Sequence, residues 1–87
     1  MERKDVYLLI DGERQYQQNR HEQKNATHPH RDEDHSVADW IVYIRSHVQN
    51  AEMWIYDLEK DLALGEIRKI AALCVACMEF NDTLPRI

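Results

Sequence analysis

The stretch from Leu62 to Phe80, LALGEIRKIAALCVACMEF, limits what this chain can fold into more than any other. From Ile67 to Met78 it is apolar nearly all round, and its charges, Glu66, Arg68, Lys69 and Glu79, cluster toward the two ends. Apolar and polar residues do not alternate, which disfavours a half-buried strand. The length and the alanine, leucine and methionine content predict a helix. A helix that is apolar around its whole circumference belongs in an interior. A chain of 87 residues buries only about 60% of its extended surface and can hardly surround such a helix alone. The expectation is that other helices cover part of it and a second copy of the chain covers the rest.

The length sets a single domain, residues 1–87. Cysteine does not staple it. Cys74 and Cys77 lie three apart within the apolar helix. C-x-x-C has redox and zinc readings, but redox pairs sit at helix starts, where the dipole lowers the thiol pKa. This pair sits deep in a helix and reads as two small core residues, and reduced cysteines fit a cytoplasmic protein. No signal peptide is apparent, and nothing approaches the roughly 20 apolar residues of a membrane span. With 16 acidic residues against 11 basic ones, the formal net charge is −5 and no basic block stands out. A nucleic-acid backbone is therefore not the expected partner, although local basic residues can still meet a small phosphate ligand.

Asp5 to about Arg20 reads as a first helix, with Val6, Leu9 and Ile10 on one face, extended by Glu13, Tyr16 and Gln17. Gly12 weakens it by up to ~1 kcal/mol relative to alanine, which predicts a bend or a close backbone approach. Residues 21–34, HEQKNATHPHRDED, read as a polar loop, because aliphatic side chains are missing and Pro29 turns His28 away from helix. The histidines there, His21, His28 and His30, with His35 beyond, match no closed metal site. Ser36 opens the next helix with Asp39 three residues on, an acidic variant of the capping box. Val37, Trp40, Ile41, Ile44, Val48, Ala51 and Ile55 then recur at three- and four-residue steps to about Leu58. Trp40 and Trp54 are the expected anchors of a core or subunit interface. Asp57 to Asp61 forms the turn, and a tail, residues 81–87, follows the last helix. The fold class is all-α: a compact bundle of three main helices, the last two antiparallel, completed by homo-oligomerisation. Its core or interface residues are Trp40, Ile44, Trp54, Ile70, Cys74 and Cys77. No repeat, glycine-rich phosphate loop or nucleophile motif is visible, and no catalytic or metal-ligating residue is assigned.

The order of Glu13, Arg14 and Gln17, then a histidine-containing polar loop, then WIVYIRSHVQNA from Trp40 to Ala51, then EIRKIAALCVACME from Glu66 to Glu79 resembles the short MazG-like proteins of the all-α nucleoside triphosphate pyrophosphatase superfamily, many of them phage-encoded. In that family the middle helix carries E-E-x-x-E and the next helix E-x-x-D or a relative. The resemblance implies that these carboxylates hold magnesium, a hard cation that needs oxygen ligands. Here the first motif falls on Ser46, His47 and Asn50, with every acid lost. The second falls on Glu66, which matches, and Lys69, which inverts the charge.

The resemblance with this departure implies a nucleotide-type pocket without the metal machinery. Arg14, Gln17, His47, Asn50, Glu66 and Lys69 are the candidate ligand-binding residues. Lys69 and Arg14 would supply charge to a phosphate, and His47 and Asn50 oriented donors. The leading expectation is a non-catalytic, phage-type binding protein for a nucleotide or nucleotide-derived ligand, such as a host-defence signal. It needs no cofactor. One alternative is a magnesium-dependent dNTP pyrophosphohydrolase with rearranged ligands. Another is a module that binds or inhibits a host protein.

Overall fold

The fold is described from a computed structural model covering residues 1–25 and 34–86, with the backbone alone for residues 23–25. Three helices follow one another: α1 (Arg3–Asn25), α2 (Val37–Tyr56) and α3 (Lys60–Phe80). No strand occurs among the described residues. The long apolar stretch is α3, and it packs against both other helices, more extensively against α2 than α1.

α2 begins as its sequence requires. The Asp39 backbone N–H donates to Ser36 Oγ at 3.2 Å, and the Ser36 N–H donates to Asp39 Oδ2 at 2.9 Å, closing the capping box. The backbone and side-chain bonds from Ser36, with help from His35, hold the Asp39 carboxyl below its ordinary range despite some desolvation. α2 ends in a reversal. The Glu59 N–H donates to the Trp54 carbonyl at 2.8 Å and the Leu58 N–H to the Ile55 carbonyl at 3.0 Å. This is the Schellman pattern, with Leu58 at φ 62° in the left-handed position usually given to glycine. α3 then runs back along α2, with His47 opposite Glu66 and Trp40 opposite Phe80.

The two seams differ in chemistry. α1 is tied to α3 by polar bonds: Arg68 to Glu13 at 2.8 Å, Arg14 to Glu79 at 3.0 and 3.3 Å, and Gln17 Nε2 to the Lys69 carbonyl at 3.2 Å. α2 meets α3 through Trp40, which stacks on Phe80 with centroids 6.3 Å apart and is edge-on to His35 and Tyr43. Among the described residues the buried apolar set is small: Trp40, Ala63, Ala72 and Ala76. Alanines bring helices close but bury little area, so the single chain has a thin core.

Several expectations need correcting. α1 starts earlier than the apolar periodicity and runs past Arg20 to Asn25, so His21 is helical. Polar helix formers such as Gln18, Glu22 and Lys24 sustain a helix without apolar residues, and Gln18 bonds Glu22 one turn on. Gly12 marks neither a bend nor a close approach: α1 is unbroken there, and a Cβ would meet nothing within 4 Å. Of the expected core residues, Trp40 is buried at 3% exposure, whereas Ile44, Trp54, Ile70, Cys74 and Cys77 are only half-buried within one chain. Both thiols are free. Burial pushes the Cys74 thiol up, and neighbouring Cys77 adds to this, which disfavours the thiolate that redox or zinc chemistry uses. No helix among the described residues is long and apolar enough to cross a membrane.

Candidate functional site

α1 and α2 lean on different sides of α3, and a cleft of about 380 Å³ opens between them. Its walls carry Arg14, Gln17, Arg20 and His21 from α1, Tyr43 and His47 from α2, and Lys69 and Leu73 from α3, with Trp40 and Ala76 at its base. Four of the residues singled out in the sequence, Arg14, Gln17, His47 and Lys69, thus line one cavity. They come from three helices because α3 presents Lys69 at the groove while α1 crosses it at Gln17.

Glu66 lies just behind. It is 7% exposed, and its two oxygens are both used: Oε2 lies 2.7 Å from His47 Nδ1, and Oε1 accepts from Lys69 Nζ at 3.4 Å. Burial raises its carboxyl, but the His47 hydrogen bond and the Lys69 and His47 charges outweigh that, holding it below the usual glutamate range. Glu66 is therefore an anion that orients His47 and leaves the ring's Nε2 for the cleft. Asn50 does not join the cleft. It lines a separate depression with Met53, Trp54, Asp57 and Glu66.

Arg14 differs from the role its position implied. It is 6% exposed, its guanidinium grips Glu79 through Nε and Nη2, and it lies over the Phe80 ring at 6.0 Å. Its charge is largely answered within the fold. Glu13 is likewise answered by Arg68. The cations that reach the cleft are Lys69, whose Nζ pairs with Glu66 at 3.4 Å but whose side chain stays 42% exposed, and Arg20, which makes no ion pair among the described residues.

Among the described residues, Trp40 Nε1 and Gln17 Oε1 at the cleft are buried without a hydrogen-bond partner. A buried donor or acceptor left unpaired costs about 1–3 kcal/mol, and functional sites are where such costs are tolerated. Together with Tyr16 and Tyr43 they give the cleft an aromatic, hydrogen-bonding wall beside its cations.

Sequence reasoning missed Arg20, His21, Tyr16 and Tyr43. His21 was hidden by ending the helix at about Arg20, which left Arg20 as its last residue. Tyr43 was findable, since it lies four residues before His47 on the same helix face. His28 and His30 lie outside the described residues. Among the described residues no group of three or more His, Cys, Asp or Glu is placed to hold a metal ion. The carboxylates nearest the cleft, Glu13 and Glu66, are engaged by Arg68 and by His47 and Lys69. This donor set does not fit magnesium, which needs several oxygen ligands in octahedral array.

No family model, no curated protein and no solved structure matches this chain.

Proposed function

We propose that this protein binds a nucleotide or nucleotide-derived small molecule in the cleft between α1, α2 and α3, and binds it without magnesium and without hydrolysing it. The observation that carries this reading is the meeting of Lys69, Arg20 and His47 with an aromatic wall that includes the unpartnered Trp40 indole. Phosphate oxygens suit the cations, whose charge-assisted bonds are each worth about 1.5–3 kcal/mol. A nucleobase suits the tyrosines, because stacking on an aromatic ring contributes about 1–3 kcal/mol per base. The resemblance to MazG-like proteins supplies the same ligand class and motivates a concrete role: a phage-type cytoplasmic protein that withdraws a nucleotide signal by binding it.

Calorimetry tests this with linear and cyclic nucleotides, with EDTA and with magnesium. Binding is expected in EDTA, and Lys69→Ala should weaken it about ten- to a hundredfold while leaving helical content unchanged. Binding of every nucleotide at wild-type affinity by Lys69→Ala would refute the site. Magnesium-dependent release of pyrophosphate, abolished by Glu66→Ala, would establish the pyrophosphohydrolase instead.

A further inference from the structure

On the side of α3 away from the cleft, a second groove runs between α2 and α3. It is lined by Val48, Ala51, Ile55, Leu64, Ile67 and Ile70, with Glu52 and Lys60 also at its walls. It shares no lining residue with the ligand cleft. The side chains are large and open to solvent: Ile55 is 55% exposed, Leu64 52% and Ile67 53%. Ile41, Val48 and Ile55 stand seven residues apart on α2 and continue the same stripe, and all three are exposed. A contiguous apolar surface of this kind marks an interaction site.

The geometry points to a second copy of this chain as the occupant, docked groove to groove about a two-fold axis. The first reason is area. A monomer of 10.4 kDa ordinarily exposes about 5,400 Å², whereas this chain exposes 7214 Å². The open aliphatic side chains of α2 and α3 contribute to that area, and a standard interface takes roughly 800 Å² from each partner. The radius of gyration agrees, at 14.1 Å against about 12 Å for a compact domain of this length. The second reason is charge. The groove carries one acid and one base, Glu52 and Lys60. A two-fold interface opposes the same patch on both subunits, so Glu52 of one copy can meet Lys60 of the other. A groove for a strongly charged partner would carry one sign. Docking there also covers half-buried Ile70 and the exposed side of α3, giving the apolar helix the interior that one chain does not provide.

Light scattering on the eluting full chain at micromolar concentration tests this. The expected mass is twice 10.4 kDa. Ile67→Glu should weaken the dimer by about a hundredfold, with helical content preserved because the residue is exposed. Leu8→Glu, on the exposed face of α1, should leave the dimer intact. Glu52→Lys and Lys60→Glu should each weaken the dimer, and the double exchange should restore it, an outcome that does not depend on how Ile67→Glu folds. A monomeric wild type would overturn the proposal and leave the groove to a different partner. So would a dimer that survives Ile67→Glu, or a charge exchange that fails to restore what its single changes weaken.

Discussion

The two sides of α3 treat the same helix in opposite ways. Toward α1 and the cleft, the carboxylates are paired: Glu13 with Arg68, Glu79 with Arg14, Glu66 with His47 and Lys69. Toward the groove behind it, large aliphatic side chains stand open with only Glu52 and Lys60 among them. Ion pairs and hydrogen bonds fix register and direction at modest net gain, whereas apolar area supplies stability once it is covered. The cleft side therefore has its geometry already set, as a binding site for a small molecule needs. The groove side leaves its apolar area uncovered within one chain.

The sharpest way to break this contrast is at Arg14. If the cleft side is held by its ion pairs, Arg14→Ala should destabilise the protein by about 2 kcal/mol in urea unfolding, through two charge-assisted bonds and the packing of its stem on Phe80. The loss stays moderate because Glu79 is 47% exposed and can return to water. Lys69→Ala, on the same wall, should move stability by less than about 0.5 kcal/mol. Equal effects from the two would erase the distinction between a structural and a ligand-facing cation.

Acid probes the same side more gently. The Glu66 carboxyl is held below its ordinary range, so the native state favours its charged form. That contribution is complete above the ordinary glutamate range and is lost as pH falls through the depressed value. The stability difference between wild type and Glu66→Gln should therefore shrink on acidification. A difference independent of pH would mean that the native state does not favour the charged form of Glu66.

A change of the opposite sign lies at the end of α2 that turns into α3. Leu58 holds a left-handed conformation with 91% exposure, so it bears the strain and packs against almost nothing in one chain. Leu58→Gly should stabilise the protein by about 1 kcal/mol. A destabilisation would mean that the leucine is buried against a partner.

The legible parts of this molecule were those governed by local rules. The capping box at Ser36 and the apolar periodicity of α2 required no knowledge of tertiary contacts. The identity of α3 as the central helix followed from its all-round apolarity. Trp40 was readable as an anchor for the same reason. What the sequence hid depended on which face meets which. Arg14 looked like a ligand donor until Glu79, far along the chain, proved to be its partner. Asn50 shares a helix with His47, but the two line different depressions. The end of α1 was misplaced because its final turns are polar, and a polar helix has no apolar period to read.

The central claim, that the cleft takes a nucleotide without metal, is tested most directly by the two tryptophan indole N–H resonances in a nitrogen-labelled sample. Trp40 lines the cleft with Nε1 unpartnered among the described residues, and Trp54 lines the depression beside Asn50. Adding linear and cyclic nucleotides in EDTA should shift the Trp40 indole signal for at least one ligand, saturably, while the Trp54 signal stays in place. A Trp40 resonance unmoved by every nucleotide, or moved only when magnesium is supplied, would contradict the account.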